Sequence, residues 1–198
     1  MPKLVHGEVT AEHLNKVVDQ IRGTADDRTC GILAGALLDN LLFDLLQRCL
    51  PESPVSDRAA LFAFNGPLGP FANKIQLAHF MGLITVGDVM TLNVIKDIRN
   101  LCAHSLGFRE DQVIDFKHPS VIERLKKLYS PKLLEKIPPE QRAEIASVRD
   151  TSLEKLGGRM FFTLFFCKVA LSIFARIQIA EPFQLPDEIN SHIEPNEA

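Results

Sequence analysis

No tryptophan occurs among the 198 residues, and tyrosine appears once, at Tyr129. Platforms that stack unpaired bases need several such rings on one surface, which argues against a single-strand nucleic-acid binder. Charge points the same way, because 22 basic and 25 acidic side chains leave a net charge of -3, too little positive potential to coat nucleic acid. Cysteine is sparse, with Cys30, Cys49, Cys102 and Cys167 far apart and no CxxC pair. Buried free thiols are therefore expected rather than a disulfide or zinc site. The sequence also lacks a Gly-rich phosphate loop, an HExxH and a GxSxG, the motifs of phosphate cradling, zinc proteolysis and serine hydrolysis. No tight-turn helix pair presents a basic recognition helix, so sequence-specific DNA binding is not expected.

His6, His13, His79, His118 and His192 stand apart from one another, and no metal or cofactor is expected. A charged start followed by an apolar run is missing, which reads as a cytoplasmic protein without a secretory leader. Strand-type alternation, internal repeats and low-complexity tracts are missing as well. What remains is an ordinary globular composition, 46% apolar and 24% charged, in a length suited to one well-cored domain over 1–198. Its helical core is expected over about 10–183, with a flexible tail over about 186–198.

The forty residues from Asn65 to His104 organise the chain. Asn65-Gly66-Pro67 and Gly69-Pro70 form an elbow, because glycine reaches positive φ and proline fixes φ near -65°. Pro70 suits the first turn of a helix. From there Phe71, Ile75, Ala78 and Gly82 share a face that Leu77, Phe80 and Met81 widen. After a break at Gly82 a second helix carries Val94, Ile95, Ile98, Leu101 and Cys102 as its apolar stripe. At about 100° per residue, Asn93, Asp97, Asn100 and His104 fall together on the other side, with Arg99 at the flank.

Earlier in the chain, Thr10 caps a helix with Leu14, Val17, Val18 and Ile21 on one face, ending near Gly23. Asp26 or Asp27 opens a central helix that Pro51 stops; it carries the small residues Gly31, Ala34, Gly35 and Ala36 and the polar Asp39 and Asp44. Asp39 and Asp44 read as a solvated or capping face. Residues of about 107–140 read as an irregular insertion holding one amphipathic helix, Val121–Tyr129, with Arg124, Lys126 and Lys127. A final helix runs from Thr151 to about Ala180. Its centre, MFFTLFFCKVALSIF, is apolar on nearly all sides but is interrupted by Lys168, short of the roughly 20 residues a span requires. It reads as a buried helix, or one that also faces a second copy; a homodimer is expected, with this helix or the Gly31–Gly35 face at the seam. The whole is an all-α bundle of about five long helices plus a short-helix insertion.

Three segments in order, DRTCGILAGALLDNLLFDLL, GPLGPFANKIQLAHFMGLI and IRNLCAH, resemble the mannitol operon repressor family of bacterial regulators over roughly residues 26–106. That resemblance implies regulation through a protein partner, either a sugar phosphotransferase or a transcription component. The Arg-x4-His spacing of Arg99 and His104 also resembles the signature of HEPN domains, helical bundles that often dimerise and in many members cut RNA without a metal. The second resemblance implies Arg99, Asn100 and His104 as catalytic residues. Histidine can relay the proton of an attacking 2′-hydroxyl, and arginine can fork onto the phosphate oxygens. A structural role accounts for the same residues, since histidine at a helix C-terminus is favoured by the dipole in any protein. The favoured expectation is a regulatory protein whose partner- or ligand-binding residues are Asn65, Gly66, Asp97, Arg99, Asn100 and His104. The alternative is a metal-independent endoribonuclease using Arg99 and His104.

Overall fold

The computed structural model describes residues 10–51, 54–104, 114–129 and 153–183. Among them are seven helices and no strand: α1 (Ala11–Arg22), α2 (Asp27–Cys49), α3 (Val55–Phe62), α4 (Phe71–Phe80), α5 (Val86–His104), α6 (Pro119–Tyr129) and α7 (Leu153–Ile179). The expected all-α bundle is therefore what forms. Most of the proposed 107–140 insertion and the 186–198 tail lie outside the described residues.

Local chemistry sets the helix starts. The Thr10 side chain accepts from His13 N at 3.2 Å. Asp26 caps α2 by accepting from the Arg28 and Thr29 amides. At α5, Thr85 and Asp88 form a reciprocal capping box: Thr85 Oγ1 accepts from Asp88 N at 3.1 Å, and Asp88 Oδ2 accepts from Thr85 N at 3.0 Å. The turn before it is closed by Gly82, whose φ of +70° is inexpensive only without a Cβ.

The central member is α2, which packs against α1, α4, α5 and α7. Its buried residues, from Cys30 and Ala34 through Leu38, Leu41, Leu42, Leu45 and Leu46 to Cys49, occupy more than one face, as a helix surrounded by others requires. Gly31 and Gly35 are both buried under α5. A Cβ on Gly31 would lie 2.9 Å from Cys102 Sγ, and one on Gly35 would lie 2.6 Å from Arg99 Cγ. The Gly31–Gly35 face is thus occupied within the chain and is not available as a dimer seam, a correction to the sequence expectation.

Phe161, Phe162, Phe165, Phe166, Val169, Ala170, Ile173 and Ile177 of α7 fill the other side of the core. Both α2 and α7 are long and apolar enough to cross a membrane by length and composition, and about half of each apolar stretch is buried in the bundle (50% and 44%). Buried polar ties fix α5 and α4 in place. Asp88 accepts from Ser172 Oγ at 3.3 Å and pairs with Arg176 at 3.4 Å, linking α5 to α7. Lys74 of α4 pairs with Asp39 of α2 at 2.5 Å and donates to Gly69 O at 3.1 Å. Asp39 is therefore half-buried and ion-paired rather than part of a solvated face.

One further expectation changes. Phe80 is 85% exposed and does not widen the buried face of α4. Within the described part of the insertion, Ile114, Phe116, Val121 and Leu125 are core residues. Phe116 N donates to Asp27 Oδ2 at 3.0 Å. Gly158 admits the Phe116 carbonyl where a Cβ would stand 2.1 Å away. Arg159 completes this corner by donating to Asp27 Oδ1 at 2.8 Å and to the Thr24 carbonyl.

Candidate functional site

The last two turns of α5 run over α2 because glycine at Gly31 and Gly35 lets the backbones approach. Arg28 Nε donates to Cys102 O at 2.6 Å, satisfying one of the carbonyls that a helix C-terminus leaves without an intrahelical partner. The polar side of α5 then faces α6, and between them opens a cleft of about 520 Å³ lined by Asp97, Asn100, Leu101, His104, Ile114 and Arg124.

The sequence-predicted residues divide in two. Asp97, Asn100 and His104 share this cleft, as their helical spacing demands. Asp97 lies 3.7 Å from Lys96 Nζ, and His104, the final helical residue, is exposed. Arg99 is not among the lining residues. Its stem rests on Gly35, and its Nη1 donates to Asn100 Oδ1 at 3.3 Å, so it lies on the α2 side of Asn100. Asn65 and Gly66 belong to the elbow. Asn65 is exposed, and Gly66 donates to Ala63 O at 2.8 Å in a turn so tight that a Cβ would stand 2.2 Å from Ala60 O. Among the described residues, no group of three His, Cys, Asp or Glu could hold a metal ion.

Arg124 is the residue that sequence reasoning placed in the insertion without assigning it to the site. Its Nη1 donates to Ser120 O at 2.7 Å, while its Nε is buried without a hydrogen-bond partner. A buried unpaired donor costs about 1–3 kcal/mol. The only available signal was the amphipathic pattern of α6, with Val121 and Leu125 inward. That pattern does not reveal which helix receives the inward face.

No family model matches the chain, and no curated protein matches it. A solved structure does: the X-ray structure of the MtlR–HPr complex from Escherichia coli is similar, with a TM-score of 0.57 at 15% identity. The match covers 81% of this chain and 98% of the other. The two chains share a fold.

All four cysteines are free, with Cys30, Cys49 and Cys102 buried and Cys167 half-buried. Burial pushes the Cys102 thiol from 9.0 up to about 11, which leaves it protonated and unsuited to nucleophilic work at neutral pH. Burial also raises Cys30, Cys49 and Cys167. Because the folded state keeps a proton that the unfolded state releases, stability is intact below the ordinary thiol value and declines as pH rises toward about 11. The Cys102 share is on the order of 3 kcal/mol. Urea unfolding between pH 8 and 11 should show this decline, and Cys102→Ala should make it shallower.

Proposed function

We propose that this chain is a cytoplasmic regulatory protein of the mannitol operon repressor type, a homodimer that acts by binding a protein partner rather than by catalysis. The proposed partner is a component of a sugar phosphotransferase system, of the kind represented by HPr. The observation that carries this reading is the shared fold, which spans 98% of a chain taken from an MtlR–HPr complex. It agrees with the three ordered segments that resemble the repressor family.

The α5–α6 cleft is the proposed contact surface. It presents an exposed imidazole, a carboxylate, an amide and a guanidinium around an apolar floor of Leu101 and Ile114. A mixed rim over a small apolar centre is the usual anatomy of a transient protein interface. The ribonuclease reading requires Arg99 and His104 to act on one phosphate. With Arg99 held on the Gly35 side of Asn100 and absent from the cleft, the described geometry gives that reading no particular support.

Calorimetric titration of HPr into the chain tests the proposal. A saturable one-to-one interaction with a micromolar or tighter Kd is expected. Absence of binding at 100-fold higher concentration would sink this choice of partner.

A further inference from the structure

The outward side of α7 carries an apolar stripe that nothing in the described bundle covers. Met160 is 52% exposed, Leu164 39%, Leu171 52% and Ile179 79%, with exposed Ala175 and half-buried Lys168 on the same line. At about 100° per residue these six positions occupy a strip about 100° wide, opposite the phenylalanine-rich core face. Along the second half of the helix the strip forms an open groove of about 630 Å³, lined by Lys168, Leu171, Ser172, Ala175, Arg176 and Ile179.

The order of the strip is informative. Met160, Leu164, Lys168, Leu171, Ala175 and Ile179 are separated by steps of four, four, three, four and four residues. That series reads the same in both directions, so an antiparallel two-fold operation maps the strip onto itself. It sets Met160 of one copy beside Ile179 of the other, Leu164 beside Ala175, and Lys168 beside Leu171. A large side chain then meets a small one at the second layer, and the Lys168 stem lies along leucine with its charged end toward the edge of the strip. No cation stands directly opposite another.

We propose that two copies of this chain pair through the outward face of α7, antiparallel, with the two-fold axis passing between residues 169 and 170. The inference rests on the homodimer in the proposed function and specifies its seam. The exposed fractions correspond to an apolar patch on the order of 500 Å² per copy, at the upper end of what a monomer leaves in water. Covering it on both copies removes about 1,000 Å², and the polar rim, with Ser172 and Arg176, brings the total toward the roughly 1,200 Å² of the smallest stable interfaces. A lipid surface fits less well. Lying flat on a bilayer would press Lys168, in the middle of the strip, toward the acyl region, whereas the antiparallel pair gives its stem an apolar neighbour.

Sedimentation equilibrium of the full chain from 1 to 50 µM, repeated on Leu164→Glu and Leu171→Glu, tests the seam. The wild type is expected at twice 22.1 kDa, and each glutamate variant should weaken association at least 100-fold with an unchanged helical circular-dichroism spectrum. Orientation is read by disulfide cross-linking in a Cys167→Ser background, which does not depend on how the glutamate variants fold. Met160→Cys mixed with Ile179→Cys should cross-link after exchange, and Met160→Cys alone should not, because its two copies lie about 28 Å apart along the axis. A monomer throughout, including one that sediments with anionic vesicles, would overturn both the seam and the homodimer part of the proposed function. A dimer untouched by both glutamates would overturn the seam alone, as would efficient cross-linking of Met160→Cys by itself.

Discussion

Asp39→Ala is expected to destabilise the fold by about 3 kcal/mol, because it strands the Lys74 ammonium in the interior. The Lys74 side chain is only 8% exposed and that of Asp39 28%. Apart from the carboxylate, the described hydrogen bond of the ammonium goes to Gly69 O at 3.1 Å. Removing one member of such a pair costs far more than replacing both, since the remaining charge is left without compensation. The double variant Asp39→Leu with Lys74→Met should therefore recover to within about 1 kcal/mol of the wild type. Urea denaturation of the three variants checks both statements. Equal stability of Asp39→Ala and wild type would show that the pair contributes nothing. The location matters to the site as well. Asp39 lies one helical turn beyond Gly35, so the pair anchors the Gly66–Pro70 elbow beside the stretch of α2 on which Arg99 rests.

Phe162→Ala is expected to cost about 3–5 kcal/mol, as for a fully buried ring whose space cannot collapse. Phe162 has no exposure, its ring centroid lies 4.6 Å from that of Phe116 and 6.4 Å from that of Phe166, and the Phe166 ring is nearly parallel to it. At roughly 2–4 °C per kcal/mol for a chain of this size, the melting temperature should fall by about 10 °C. The effect should extend beyond the core. Phe116 belongs to the short segment that ties the start of α6 to Asp27 and Gly158, so loosening its ring contact frees Ile114 and Arg124 at the cleft. Faster amide exchange over 114–125 at a temperature well below the transition would report this, whereas a purely global effect would leave that segment no more exchangeable than α2.

Helical periodicity made much of this fold readable from the sequence. Thr10 and Asp26 sit where cap residues belong, and the breaks at Gly82 and Pro51 separate the expected helices. The grouping of Asp97, Asn100 and His104 followed from spacing alone, because residues three and four apart share a helix face wherever that helix packs. Relations between helices were less legible. Nothing in the order of residues distinguishes a small-residue face that receives another helix of the same chain from one that receives a second copy, and Gly31 and Gly35 turned out to receive α5. The direction of the Arg99 side chain was not legible for a related reason. Its flank position permits either direction, and the missing Cβ of Gly35 leaves room for its stem on the α2 side. Arg124 and the Asp88–Ser172–Arg176 cluster join residues 20 to 88 positions distant from their partners in the chain, so no local pattern announces them. Lys74 and Asp39 were hidden in the same way, each appearing polar on its own helix until the two are brought together.

The α5–α6 cleft is proposed to bind a protein partner and to do no chemistry on RNA. The most direct measurement pairs two assays on the same preparations of wild type, Arg124→Ala and His104→Ala: titration with HPr, and incubation with single-stranded RNA in the presence of a chelator. Expected are saturable HPr binding by the wild type, at least tenfold weaker binding by folded Arg124→Ala, and no RNA cleavage above a mock preparation by any of the three. Metal-independent cleavage by the wild type, lost in a folded His104→Ala protein, together with HPr binding that is absent or unaffected by Arg124→Ala, would contradict the proposal.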